Sequence, residues 1–361
     1  MQFELCQNER GWDALRGEWN ARLEGSVTQV PFLTWEWQRT WWEAFGAGRT
    51  LHLVIMRDAA GQLRAIAPLF AQDTALDPGA GLPEIHIERS APASGGQTFR
   101  TLHWIGGTEV SDYLDLIVSP QLHREACATL LEALGARDNW HLLDLHCLRG
   151  ASPTAATLAK MARARGWDVQ QVREDVCPVV ELPGTWDEYL SLRLDKKQRH
   201  ELRRKMRRAA QETHVEWHWV EKAEELDAGL ETFFLLHKAS QRDKDAFMDP
   251  HMQSFFRNVA RLALEKDWLR LSILSFNGQP VGSYLCFDYG LDRLVYNSGY
   301  DQAAYADLAP GIVLVGYMIE DAIQRGLRRF DLLRGNERYK YDFGPVEEEV
   351  LRLVIRRATR A

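Results

Sequence analysis

No apolar run in this chain approaches the ~18 to 20 residues that cross a bilayer. Met1 to Arg10 also lack the charged-then-apolar pattern of a secretory leader. The expected location is the cytoplasm, with no transmembrane segment. Cysteine is sparse: Cys6, Cys127, Cys147, Cys177 and Cys286 are odd in number and never spaced as CxxC, which argues against a disulfide framework and against a zinc knuckle. Positive charge is in deficit, and the formal net charge of -7 argues against a protein whose whole surface binds nucleic acid. A metal is not expected. His141, Asp144 and His146 share one strand, but alternation puts His141 on the opposite face from the other two.

What is present points to two domains. A chain of 361 residues with 45% hydrophobic and 26% charged residues is globular in composition and too long for one core of ordinary size. Thirteen tryptophans are many, and Trp35, Trp37, Trp41 and Trp42 fall on one amphipathic segment whose expected role is packing.

The two halves repeat a pattern. Leu51 to Met56, a polar turn through Gly61-Gln62, and Leu63 to Phe70 read as a hairpin, as do Leu269 to Phe276, the turn Asn277-Gly278-Gln279, and Val281 to Phe287. Downstream, a helix over Glu125 to Leu134 leads to a strand over His141 to Leu148, and a helix over Ile312 to Arg325 leads to a strand over Arg329 to Leu333. Each unit closes on Leu-Arg-Gly, at Gly150 and at Gly335. The first copy is longer by about 32 residues, and the Gly- and Pro-rich segment 71–107 has the length and composition of an inserted surface loop. Domains of 1–170 and 171–361 are therefore expected.

In the second half a strand over Arg293 to Gly299 is followed by Tyr300-Asp301, a loop, and a helix opening at Leu308-Ala309-Pro310-Gly311. First-turn amides have no partner within their helix and lie at the positive end of its dipole, so a strand, loop and helix start in this order can cradle a phosphate. Proline suits the first helical position because its missing N–H would be unpaired there anyway. The residues placed at this anion site are Asn297, Ser298, Gly299, Ala309, Pro310, Gly311 and Ile312.

The strings Asn297-Ser298-Gly299-Tyr300-Asp301, Pro310-Gly311 and Phe330-Asp331-Leu332-Leu333-Arg334-Gly335-Asn336-Glu337-Arg338-Tyr339-Lys340 resemble the GNAT-superfamily acetyltransferases of the CelD-like family, relatives of the FemAB transferases. The N-terminal run from Phe32 through Trp41-Trp42-Glu43-Ala44-Phe45-Gly46 to Pro68-Leu69, and the basic segment Arg193 to Arg208, are similar to that family as well. The resemblance implies an α/β fold of tandem GNAT-like domains, each a mixed, mostly antiparallel sheet flanked by helices. It further implies acyl transfer from an acyl-CoA such as acetyl-CoA, without a metal, to an amine or hydroxyl of a small molecule or glycan precursor. One departure stands out. The usual GNAT pyrophosphate loop, Arg/Gln-x-x-Gly-x-Gly/Ala, is replaced by Asp307-Leu308-Ala309-Pro310-Gly311. An aminoacyl-tRNA donor of the FemAB type and a non-catalytic accessory role in polysaccharide synthesis therefore stay open.

Transfer from a thioester to an amine needs a polarised carbonyl, a deprotonated nucleophile and a protonated leaving thiolate. Backbone N–H groups around Asn297 and Ser298 suit the first role. Glu337 and Asp301 are candidates for the base, against an ion pair for Glu337 and a turn for Asp301. The resemblance assigns the acid role to Tyr339, with Tyr341 as its rival. Arg334, Lys340, Tyr300, His237 and Arg242 are candidate substrate contacts.

Arg193 to Arg208 holds nine basic and two acidic residues, with Leu202, Met206 and Ala209 as a narrow apolar stripe. Like charges at i,i+4, as in Arg199/Arg203 and Arg203/Arg207, weaken a helix. An anionic compensator is expected for Arg199 and Arg203: acidic surface of the chain itself, a substrate phosphate, RNA or anionic lipid.

Overall fold

The computed structural model describes residues 1–76, 97–107, 110–240, 247–301, 303 and 305–357. The chain forms two compact units, Met1–Asp175 with Glu348–Ala361, and Val176–Glu347.

In the first unit, β1 (Gln2–Cys6), α1 (Arg10–Leu23) and α2 (Trp35–Phe45) precede the hairpin β2 (Thr50–Arg57) and β3 (Leu63–Leu76). Then come β4 (Gln97–Trp104), the short β5 (Ile117–Val118) against β3, α3 (His123–Gly135), β6 (Leu142–Arg149) and α4 (Thr154–Arg163). The sheet order is β1-β2-β3-β4-β6, antiparallel except that β4 and β6 run parallel across the α3 crossover. Trp37, Trp41 and Trp42 are buried in this unit as packing residues. The segment read as an inserted loop is strand at both flanks, because β3 runs to Leu76 and β4 begins at Gln97, pairing from Leu69↔Trp104 to Leu76↔Gln97. Backbone pairing there overrode the turn-rich composition; the intervening 77–96 lie outside the described residues.

In the second unit, the end of β7 (Asp168–Glu181) leads to α5 (Trp186–Leu192), α6 (Lys196–Glu212), β8 (Val215–Val220), α7 (Ala223–Ser240) and α8 (Pro250–Glu265). The hairpin β9 (Leu269–Phe276) and β10 (Gln279–Tyr289) follows, then β11 (Asp292–Tyr300), α9 (Pro310–Gln324), β12 (Arg329–Asp331) and β13 (Val346–Arg356). The order β7-β12-β11-β10-β9-β8 is again antiparallel except for the parallel pair β11 and β12, joined by the α9 crossover. The hairpin, third strand, helix and parallel fourth strand thus recur in both units, in the order read from the sequence.

The last strand departs from that reading. β13 pairs antiparallel with β6, Val350↔Arg149 through Arg356↔Leu142, so residues from Glu348 onward complete the first unit although they follow the second in the chain. The sequence expectation that 171–361 forms one domain cannot include them. An apolar strand reads the same whichever sheet edge it fills.

Packing around α9 explains its composition. Val313, Leu314, Val315, Met318, Ile319 and Ala322 are fully buried, as a helix covered on most faces requires. α6 crosses it at Gly316, where an added Cβ would lie 3.0 Å from Met206 Sδ and 3.2 Å from Leu202 Cδ1. The start of α6 is set by a capping box: Asp195 accepts from the Gln198 backbone N–H at 2.8 Å, and Gln198 Oε1 accepts from the Asp195 N–H at 2.9 Å.

Candidate active site

Parallel pairing between β11 and β12 ends at Leu294↔Asp331, while β11 continues to Tyr300 against β10 alone. The two crossover strands part at this level. At the same level β11 carries a bulge: Cys286 faces Val295 and Leu285 faces Asn297, so Tyr296 is the extra residue. Such a bulge bends its strand and re-aims the following side chains. Tyr296 stacks on Phe256 and Asn297 meets His237, on the face covered by α7 and α8. Left-handed backbone in residues other than glycine borders the opening: Tyr305 and Ala309 precede α9, and Leu333 follows β12. Conformations of this kind cost about 1–3 kcal/mol and cluster at functional sites.

The start of α9 is leaner than a free helix end. Pro310 has no N–H, and the amides of both Ile312 and Val313 donate to the Ala309 carbonyl, at 3.0 and 3.1 Å. Among the described residues the Gly311 N–H has no acceptor. Of the expected first-turn donors Ile312 is thus already used, and Gly311 remains. An added Cβ at Gly311 would meet the Tyr300 ring at 3.6 Å and the Tyr284 hydroxyl at 3.8 Å, ordinary contact distances, so close packing does not demand glycine there.

Those neighbours belong to a phenol cluster, in which Tyr284 on β10 is buried and Tyr300 and Tyr339 are half-buried, with Cys286 beside them and Tyr284 close enough to Tyr339 for each phenol to shift the other. Burial pushes the Tyr339 phenol well above the usual tyrosine range, the Glu337 charge pushes it the same way, and a side-chain hydrogen bond with Tyr284 pulls it partly back. Tyr284 is raised by burial above all, and further by the neighbouring Tyr339. The sequence singled out Tyr339 and Tyr300 but not Tyr284; its only signal was an aromatic at an inward position of the second hairpin.

Other candidates take different parts. Glu337 is exposed and ion-paired with Lys340 at 2.9 Å. Lys340 is buried, and its ammonium also donates to the carbonyls of Leu333, Arg334 and Gly335 at 3.1, 2.7 and 3.2 Å. With its three protons committed, Lys340 holds the loop after β12. Asp301 accepts from the Ala303 N–H at 2.8 Å and so shapes the turn after β11. Tyr341 donates to Glu347 at 2.5 Å. His237 is buried, with Nε2 3.1 Å from Asn297 Oδ1. Ser298 and Arg334 are half-buried, and Arg199 and Arg203 lie on α6. Arg242 lies outside the described residues.

Gly299 has a packing role. An added Cβ would lie 2.5 Å from the Leu236 carbonyl carbon and 2.6 Å from His237 Cα. The backbone of α7 therefore rests directly on β11, and this close approach requires glycine at 299. Gly299→Ala is expected to destabilise the protein by about 3 kcal/mol, because backbone atoms cannot step aside as a side chain does. Gly311→Ala, with room for its methyl, should melt within a few degrees of wild type. Thermal unfolding of both variants checks the contrast; equal melting temperatures would refute it.

In the first unit the corresponding strand end is filled by side chains of the chain itself. At the end of β6 the Cys147 N–H donates to Glu174 Oε2 at 3.0 Å. Asp144 is gripped by Arg352 at 2.9 and 2.8 Å, and His146 sits between Asp144 and Glu174 at 3.3 and 2.8 Å. Asp144 and His146 serve an ion-pair network, His141 just before the strand accepts from the Arg100 N–H at 2.8 Å, and no metal-binding group occurs among the described residues.

Comparison with known proteins agrees with this architecture. Residues 196–341 match the family described as acetyltransferase (GNAT) domain. Among solved structures, FemX superimposes with a TM-score of 0.61 at 10% identity, covering 98% of this chain and 97% of that one. A conserved protein of unknown function from Bacteroides thetaiotaomicron gives 0.57 at 11% identity, covering 99% and 100%. The C-terminal domain of a lysylphosphatidylglycerol synthetase from Agrobacterium fabrum, described as putative in name, gives 0.51 at 10% identity, covering 94% and 92%. A sequence comparison with curated proteins gave no match. Residues 196–341 thus match an acetyltransferase (GNAT) domain, and the chain as a whole shares the tandem α/β fold of these solved structures.

Proposed function

We propose that the second unit is a cytoplasmic, CelD-like acyltransferase that moves an acyl group, in the first instance acetyl, from acyl-CoA to an amine or hydroxyl of a small molecule or cell-envelope or polysaccharide precursor. One observation carries the reading: the parting of β11 and β12 at a bulge, beside a helix start whose Gly311 N–H is unpaired and whose floor is a cluster of protonated phenols.

The residues suit such a donor. Gly311 at the positive end of α9 would meet a phosphate oxygen, and main-chain N–H groups near Asn297 and Ser298 would meet the carbonyl oxygen. The thioester supplies the activated acyl carbon. Glu337, whose charge is felt by Tyr339, takes the proton of the acceptor ammonium. The freed nitrogen forms the new bond to the acyl carbon as the carbon–sulfur bond breaks. Tyr339 protonates the leaving sulfur, and the proton shed by the newly acylated nitrogen returns to the phenolate, so that amide and thiol both leave neutral while Glu337 keeps the first proton.

A ligand that binds only the folded chain raises its melting temperature. At about 100 times its dissociation constant acetyl-CoA would add about 2.7 kcal/mol, a shift of several degrees. A shift with acetyl-CoA and none with aminoacyl-tRNA supports this reading. The reverse supports a FemAB-type donor, and no shift with either ligand supports an accessory role.

A further inference from the structure

The basic face of α6 plays no part in the transfer just described. Residues 193–208 carry a formal charge of +7, which leaves -14 for the rest of the chain. Lys196, Lys197, Arg199, Arg203 and Arg207 line one concavity of about 600 Å³ on this helix. Its acidic compensation is thin: Arg204 pairs with Glu201 at 2.8 Å and Arg208 with Glu212 at 2.7 Å, and Asp187 reaches Arg203 only at 3.6 Å. Lys196, Lys197, Lys205 and Arg207 have no acidic partner among the described residues. Four residues advance a helix by about 6 Å, so the row from Lys196 to Arg207 spans roughly 16 Å, longer than a single phosphate needs.

A second observation selects among polyanions. Leu192 and Val346 are exposed by 69% and 64%, and both chain segments meet the N-terminal end of α6. Leu192 ends α5 just before Lys196. Gly344, two residues before Val346, lies against the Arg193 carbonyl, and Gln198 Nε2 donates to the Tyr341 carbonyl at 2.8 Å. Cations beside exposed aliphatic side chains fit a lipid surface, where the charges meet headgroups and the apolar groups enter the acyl boundary. A single-stranded nucleic acid would instead call for exposed aromatic platforms, and the large exposed apolar side chains here are aliphatic. The charge asymmetry would orient the chain on such a surface.

We propose that the α6 face docks the protein on anionic phospholipid membranes. The proposal is independent of the donor chemistry. It is tested with the full chain by co-sedimentation with phosphatidylcholine vesicles, with and without phosphatidylglycerol, at low and high salt, and by tRNA binding in parallel. Binding should require phosphatidylglycerol and fall with salt. Lys197→Glu with Arg207→Glu should weaken it about twentyfold or more. Leu192→Asp with Val346→Asp should weaken it about tenfold while leaving the salt dependence in place. Melting curves confirm that each variant is folded. The proposal is overturned if vesicles are not bound, if the aliphatic variant binds them as wild type does, or if tRNA is bound in their place.

Discussion

Arg293→Ala is expected to cost about 3–5 kcal/mol of stability. The guanidinium is fully buried on β11 and donates to both oxygens of Asp288 at 2.7 and 2.9 Å, to Asp321 Oδ2 at 2.7 Å and to the Met318 carbonyl at 2.9 Å. Its cationic carbon also sits 4.7 Å from the Trp219 ring centre. Truncation would leave Asp288 with Arg270 alone, at 2.9 Å, and Asp321 with the half-exposed Arg325 alone, at 3.0 Å, each short of a charge-assisted partner, and that lost compensation sets the size of the loss. Lysine should rescue little, because one ammonium cannot reproduce the planar fork that holds Asp288 by both oxygens. Urea unfolding, read as a change of midpoint at constant slope, measures the effect. A loss below about 1 kcal/mol would mean the network is held mainly by its remaining members. Because the brace ties β10 and β11 to the C-terminal half of α9, it also sets where that helix presents Gly311.

Tyr339→Phe is expected to lower kcat by roughly 10²- to 10⁴-fold with the fold intact, the usual range for removing a proton-transfer group. Its pH dependence has a definite sign. A phenol raised above the ordinary tyrosine range keeps its proton from roughly pH 6 to 9, so titration of Tyr339 should not produce an alkaline fall in rate there. Tyr284→Phe removes the hydrogen bond that pulls Tyr339 down. It should slow the reaction less than Tyr339→Phe and move any limb due to Tyr339 to still higher pH. Rate–pH profiles of the three proteins decide the matter. An unchanged kcat in Tyr339→Phe would remove it from the proposed chemistry.

The repeated hairpin and the crossover helix with its closing strand could be read directly because each is local. Alternation over Leu269 to Phe276, the Asn277-Gly278 turn and the apolar wrap of α9 are properties of neighbouring residues, set by backbone sterics and side-chain period. Tyr339 was proposed from a string that resembles a family's, and its part in the chemistry is a proposal here. The packing roles of Gly299 and Lys340 were not legible from comparable strings, because glycine near a strand end and lysine after one look alike whether they meet a ligand or the chain itself.

Sequence alone determined that there are two copies of one α/β pattern, that the second copy brings a Pro-Gly helix start toward a tyrosine- and charge-bearing strand end, and that a basic helix precedes it. Only tertiary structure decided which amide is left unpaired, that α7 presses onto Gly299, that Tyr284 lies beneath Tyr339, and that the final strand completes the first unit. The physical reason is range: propensity and periodicity act over a few residues, whereas a buried hydrogen bond or a sheet edge joins positions that the chain keeps tens to hundreds of residues apart.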